Sequence, residues 1–331
     1  MCATAMRSFA QWDHHPQAKA LVRTPPVSLI RIGDAPKRLP TEDPSRPLDD
    51  IRVLDLSRVL AGPVAGRTLA AYGADVLLVT SPNLPALPVI DIDTSLGKRT
   101  TQLDLRQHSD KEILRGLCKE SDVFLQAYRP GGLNDKGFGT HELAKLRPGI
   151  ICANLTAWGW DGPWKDRRGF DSLVQTATGF NVAEDEAYRD FCKLERHVTP
   201  KPFPLQALDH AAGYLLAYGI NAALCKSMTE GGSWEVRVSL AAVGQWVRSL
   251  GRLSPEEAFG KGRPFPQPLD SEVVALSTDW PQDNSDTTAR LGVHEITAIK
   301  HAAILSKTPA KEGRYSQAPM VLNAHPPSWL S

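Results

Sequence analysis

Cysteine is scarce and scattered: Cys2, Cys118, Cys152, Cys192 and Cys225 are the five in 331 residues, and no two form a C-x-x-C pair. That excludes a disulfide-stapled scaffold and a zinc ribbon, and it points to reduced thiols in a reducing compartment. No H-E-x-x-H occurs, so no dedicated metal site is expected. Charge of one sign is lacking too, since 38 basic residues face 37 acidic ones, a net of +1. No basic stripe interleaved with aromatics is present, so nucleic acid is not an expected partner. No apolar run approaches the ~20 residues that cross a bilayer, so no membrane partner is expected. The first residues carry no apolar leader core, and Trp329-Leu330-Ser331 is not a peroxisomal tripeptide. The expected location is cytoplasmic. Also missing are G-x-G-x-x-G, G-x-x-x-x-G-K-[ST] and G-x-S-x-G, which disfavours a dinucleotide fold, a P-loop and a standard α/β-hydrolase.

What is present is 42% hydrophobic and 23% charged residues, an ordinary globular balance. Ile51 to Leu56 reads as a buried strand, and Ala61-Gly62-Pro63 opens a helix to about Tyr72 that Gly73 stops. Ala74 to Val79 is a second strand. Strand-like segments recur at Thr101 to Leu105, Asp122 to Ala127, Gly149 to Leu155 and Trp234 to Ser239. Helical patterns lie between them at Lys111 to Lys119 and His141 to Leu146. A long, densely apolar helix is expected from Asp209 to about Met228, and another from Leu240 to Leu250. This alternation predicts an α/β fold with a doubly wound parallel sheet. Gly251 to Arg290 is Pro-, Ser- and Asp-rich without period, and Glu295 to Leu305 reads as a last short helix.

Three features carry possible chemistry. Gly97-Lys98-Arg99-Thr100 offers two cations before a strand, either a phosphate-holding turn or a solvated one, and the residues alone favour the second. Asp209 stands where the long helix begins; an N-cap is the commoner role there, a catalytic carboxylate the sharper one. His210 is equally ambiguous. Asp171 reads as a cap for a helix through Val174 to Ala177.

The segments IRVLDLSRVLAGPVAGRTLAAYGADVLLV, SLGKRTTQLDLR, SDVFLQAYRPGGLNDKGFG, TAWGWDGPWKDRRGFDSLVQTATG and LQALDHAAGYLLAYGINAAL appear in this order. Together they resemble the family III CoA-transferases (the CaiB/BaiF family), the group of formyl-CoA transferase, carnitine CoA-transferase and α-methylacyl-CoA racemase. The resemblance spans about Asp50 to Leu250. It implies a Rossmann-like large domain over 50–250, preceded by an arm (1–49) that resembles the end of a small domain. An irregular linker with a short helical tail (251–331) would follow, the small domain being reduced or missing. The chain thus resembles a shortened or half-duplicated member.

The resemblance implies that Asp209 is catalytic. In the family the carboxylate attacks an acyl-CoA thioester to form a mixed anhydride, and CoA thiolate leaves. The thiolate returns to give an aspartyl-CoA thioester, which an acceptor acid resolves. CoA contacts are implied at Leu60 and Ala61, at Leu103, Asp104, Leu105 and Arg106, at Ala127, Tyr128 and Arg129, and at Arg168, Gly169, Phe170 and Asp171. Arg106, Arg129 and Arg168 are the implied phosphate partners. No permanently bound cofactor is implied; a coenzyme A thioester is the substrate, a carboxylic acid the acceptor and a homodimer the expected assembly. Three departures stand out: Thr80-Ser81-Pro82 replaces an arginine that meets CoA, Leu60 stands where some transferases have Gln, and Phe170 replaces the racemases' His. The expected function is acyl-CoA transfer between carboxylic acids. The alternatives are a CoA-dependent racemase or isomerase, which Phe170 disfavours, and a catalytically inactive CoA-binding subunit.

Overall fold

The structure is a computed structural model that describes residues 3–194, 200–203, 205–281, 295–311 and 322–330. Helices α1 (Phe9–Asp13) and α2 (Pro16–Leu21) precede strand β1 (Ser28–Gly33). The alternating part runs β2 (Arg52–Leu56), α3 (Ala61–Ala71), β3 (Asp75–Thr80), α4 (Pro88–Thr94), β4 (Arg99–Gln102), α5 (His108–Glu120) and β5 (Val123–Gln126). It continues through α6 (Thr140–Leu146), β6 (Ile151–Thr156), α7 (Asp171–Thr178), α8 (Phe180–Cys192), α9 (Ala207–Thr229), β7 (Ser233–Ser239) and α10 (Leu240–Ser249). Short elements follow: α11 (Pro255–Phe259), α12 (Ser271–Leu276), β8 (Ser277–Pro281) and β9 (Glu295–Ile299).

The expected α/β sheet is there. Seven strands lie in the order β1-β7-β6-β5-β2-β3-β4. Every neighbouring pair is parallel except β1, which runs antiparallel to β7. Near-continuous apolar strands follow from cover on both faces. Val53, Val76, Val123, Leu125, Ala153 and Val236 share one core with α3 and α9 residues. Leu54, Leu77, Phe124 and Cys152 alternate to the other, which Leu114 and Leu117 of α5 and Leu143 of α6 complete. From β2 the chain steps outward through β3 and β4, then crosses back to β5. The order therefore reverses between β2 and β5, and such a reversal opens a crevice at the carboxyl ends of the strands.

Residues read as an arm contribute β1 to the sheet edge and a second layer of packing. Trp12 is buried against Trp158 and Trp164, and buried Gln17 donates from Nε2 to the carbonyls of Trp158 (2.9 Å) and Asp161 (2.8 Å). The helix expected from Glu295 to Leu305 is corrected: β9 pairs antiparallel with β8. Ile296 and Ala298 pack on Trp280 and Leu96, while Ile299 points outward at 63% exposure. That is a period of two, and three of the five residues of β9 are β-branched. Positions 282–290 of the stretch read as irregular lie outside the described residues, as does Cys2; the other four cysteines are free thiols. Among the described residues no helix is long and apolar enough to cross a membrane.

Candidate active site

α3 follows the carboxyl end of β2, and α9 leads down to the start of the parallel strand β7, so both helices begin at the rim of the crevice. They pack closely because Gly213 has no side chain: a Cβ there would come within 2.6 Å of the Ala61 carbonyl and 2.8 Å of Val64. Asp209 lies one turn before Gly213, at the third position of α9, and is 8% exposed. Gln206 occupies the N-cap position, without a side-chain cap bond. Asp209 is therefore not the cap that its place in the sequence suggested.

The cap comes from elsewhere. Asp171, the first residue of α7, is buried, and its Oδ2 accepts the backbone N–H of Asp209 at 2.9 Å. Leu208 N–H also bonds this carboxylate, and Gln175 Nε2 donates to its other oxygen. Asp171 was expected to cap its own helix; it closes the first turn of α9 instead. Burial first, and then the charge of Asp171, push the Asp209 carboxyl up to about 7. The pull of a helix N-terminus toward ionisation is outweighed here, because the amides that would supply it already serve Asp171. Asp171 is itself raised by burial and held back by its donors. The two carboxyls thus resist carrying two charges at once. His210 is pushed down by burial and by Arg67, against the opposing charges of Asp93 and Asp171.

On the other side of the rim lies an open cleft of about 560 Å³ at the ends of β2, β3 and β5. Leu103, Asp104, Leu105, Arg106, Tyr128 and Arg129 line it, six of the thirteen positions implied for CoA. Burial pushes the Tyr128 hydroxyl up to about 12, so it stays a neutral donor. Arg106 is not free: its guanidinium forks onto Asp104 (2.9 and 2.8 Å) and holds that carboxyl well below the usual range. Arg129 is exposed at the cleft mouth. Arg168 is outside the cleft wall, exposed, with its carbonyl taken by Trp158 Nε1 (3.1 Å). Leu60 and Ala61 are buried rather than open to the cleft, Ala61 in the core that α3 and α9 share, and Ala127 packs toward the same core. Phe170 is half-exposed beside Asp171. The loop from β2 to α3 holds Val59 at φ 71°, an unfavourable conformation for a β-branched residue.

Neither reading of Lys98-Arg99 holds. Lys98 is completely buried; its Nζ donates to Asp55 Oδ2 (2.8 Å) and to the Pro63 carbonyl (2.9 Å). Asp55 also accepts from Ser57 Oγ. A Cβ on Gly66 would fall 2.2 Å from Asp55 Oδ2, so the pair is roofed by a helix turn that only glycine allows. Arg99 forks onto Asp75 (2.9 and 2.8 Å) and donates to the Ser328 carbonyl (2.7 Å). Both cations brace the sheet rather than hold phosphate. Among the described residues no cluster of three or more His, Cys, Asp or Glu is placed to hold a metal ion.

The family profile of CoA-transferase family III matches residues 48–262. The acetyl-coenzyme A transferase nodX of Hypoxylon pulicicidum is 36% identical over 213 residues, covering 63% of this chain and 35% of that one. The probable fatty acyl-CoA transferase Rv3272 of Mycobacterium tuberculosis is 31% identical over 245 residues, covering 70% of this chain and 60% of that one. A crystal structure of Rv3272 superposes with a TM-score of 0.52 over 63% of this chain and 59% of its own. The chain spans less than two thirds of the length of these relatives.

Proposed function

The chain belongs to CoA-transferase family III, and from that premise we propose that it moves CoA between carboxylic acids with Asp209 as nucleophile. The observation that supports this most is the setting of Asp209. It is a buried carboxylate at the rim of the sheet, with an ordinary carboxylate's acidity lost to burial and to Asp171. A cleft of ligand size opens on the same rim. In this reading one Asp209 oxygen attacks the thioester carbonyl and the C–S bond breaks, leaving an acyl-aspartyl anhydride and CoA thiolate. The thiolate then attacks the aspartyl carbonyl, and the donor acid leaves with the bridging oxygen. An acceptor carboxylate reverses both steps. The thioester's energy is kept at each stage. Phe170 has no proton to exchange, so racemisation is the weaker reading.

The test is intact-protein mass spectrometry after incubation with a panel of acyl-CoAs. The expected adduct is CoA less water on the peptide holding Asp209, along with exchange of labelled acid into the acyl-CoA pool. CoA binding with neither adduct nor exchange across the panel would leave the inactive-subunit reading in its place.

Two further outcomes are expected. Exchange rises with pH through about 7, as Asp209 ionises. The charge of Asp171 opposes that ionisation, so Asp171→Asn should move the midpoint of the pH–rate profile downward. Asn keeps an oxygen for the Asp209 amide, which separates the charge effect from loss of the cap. A midpoint that stays or climbs contradicts the coupling. Arg129→Ala should raise KM for the acyl-CoA about tenfold or more, the worth of one charge-assisted bond. An unchanged KM would remove Arg129 from the phosphate site.

A further inference from the structure

The two carboxyls of the site are not equivalent. Asp171 takes three N–H donors: the backbone amides of Leu208 and Asp209, and the side chain of Gln175. Among the described residues no donor reaches the Asp209 carboxyl, on which burial and the charge of Asp171 act. Gln175 was not singled out by sequence. It lies one turn beyond Asp171 on α7, on the same face, and is 2% exposed. Its amide is pinned at both ends. Oε1 accepts the backbone N–H of Phe203 (2.9 Å), while Nε2 donates to Asp171 Oδ1. Turned over, the amide would set its oxygen against a carboxylate and its NH₂ against an N–H, so only this orientation is satisfied. Phe203 is held in turn. Its ring centre is 4.7 Å from that of Phe180, and two residues earlier Lys201 N–H bonds the Asn181 carbonyl (3.1 Å).

Each donor to a carboxylate favours its charged form. One bond to a charged acceptor changes that acceptor's ionisation constant about tenfold or more. Two of the three donors to Asp171 are backbone; the third is the one that a side chain controls.

We propose that Gln175 is a positioning residue that fixes the first negative charge of the pair on Asp171 and leaves the exchangeable proton to Asp209. Asp209 is then the second of the two to ionise and, once ionised, the more basic, which favours attack. The link to attack rests on the transferase reading above; the division of charge does not. The other charges around the pair are untouched by a change at Gln175. His210 acts on Asp171 from α9, and Arg67 of α3 and Asp93 of α4 act on His210. Arg248 of α10 is held by Asp13, and Asp185 of α8 by Arg189.

The test follows both carboxyls directly in the whole chain, by ¹³C spectra of protein labelled at the aspartate side-chain carboxyl. Asp209→Asn and Asp171→Asn identify the two signals. In the wild type Asp209 should titrate in one step, near 7. Gln175→Met keeps the length of the side chain and donates nothing, so Asp171 should hold its proton about tenfold or more tightly. The first charge is then shared between the carboxyls, and Asp209 should titrate in two steps, part of it below the wild-type step. Gln175→Asn, which withdraws the amide by one methylene, should split the curve in the same sense and decides the matter if Gln175→Met does not fold. Because the effect passes through Asp171, neither variant should alter the Asp209 curve of Asp171→Asn. Where exchange is measurable, Gln175→Met should reach about a threefold or larger share of its plateau rate at about pH 5.5 than the wild type does. Loss of mere structural support would lower the rate equally at every pH. A single, unshifted Asp209 step in a folded variant overturns the assignment even if exchange is observed, as does an effect that persists when Asp171 is replaced by Asn. A split that is absent in the Asp171→Asn background upholds it even if no exchange is found; the transferase reading then fails alone.

Discussion

Asp209→Asn is expected to fold like the wild type and to lose CoA exchange by about 10⁴-fold or more, as removal of a covalent nucleophile does. Asn matches Asp in shape, and the backbone N–H that binds Asp171 is unchanged by the substitution. Nothing that closes the first turn of α9 is removed. What disappears is the attacking oxygen charge. The same variant carries a stability signature with a definite sign. The folded-state carboxyl titrates near 7, whereas an unfolded Asp titrates near 3.9. Between those values the folded protein binds the extra proton, so wild-type stability falls as pH rises from about 4 to about 7. The full difference amounts to roughly 4 kcal/mol. Asp209→Asn has no such titration, so its stability relative to wild type should climb across that window. Urea denaturation at pH 5 and pH 8, run beside the exchange assay, measures both. A stably folded variant with full exchange would end the nucleophile reading. A stability difference flat in pH would end the account of the carboxyl's burial.

How much of this was legible beforehand follows the range over which each cause acts. The strands of the parallel sheet were readable because each is a short apolar run whose burial on both faces is written in its own residues. The long helix α9 and the carboxylate at its start were readable for the same reason. The cap on α9 was not, since Asp171 reaches it from 38 residues away, whereas Asp209, the local candidate, lies inside the first turn and Gln206 at the N-cap position makes no cap bond. Lys98 next to Arg99 has every local mark of a solvated turn. Its burial is decided by Asp55, 43 residues upstream, and by a glycine in between. Five residues at Glu295 to Ile299 suit either a helix or a strand; pairing with β8 and contact with Trp280 select the strand. The loop after β2 and the segment ending in Arg129 were expected near one ligand. The structure brings the second to the cleft and turns Leu60 and Ala61 of the first inward.

The buried pair at Asp55 and Lys98 should dominate the response to mutation away from the nucleophile. Both side chains are completely inaccessible to solvent. Burial pushes the Lys98 ammonium below its ordinary range, and the Asp55 charge beside it works against that shift. Lys98→Met fills the space with a similar chain but leaves the Asp55 carboxylate buried, with Ser57 as its remaining side-chain donor among the described residues. Removing one partner of such a pair costs about 3–5 kcal/mol, because the survivor has lost both water and counter-ion. The pair also ties β2 to the first turn of α3 through the Pro63 carbonyl. The loop between those elements, with Val59 in its strained conformation, should therefore loosen together with the loss of stability. Adding Asp55→Asn to Lys98→Met removes the stranded charge, and the double variant should recover a large part of the loss. Urea denaturation of the two single variants and the double variant gives the coupling directly. A Lys98→Met protein within about 1 kcal/mol of wild type would show that the pair is not what braces this rim.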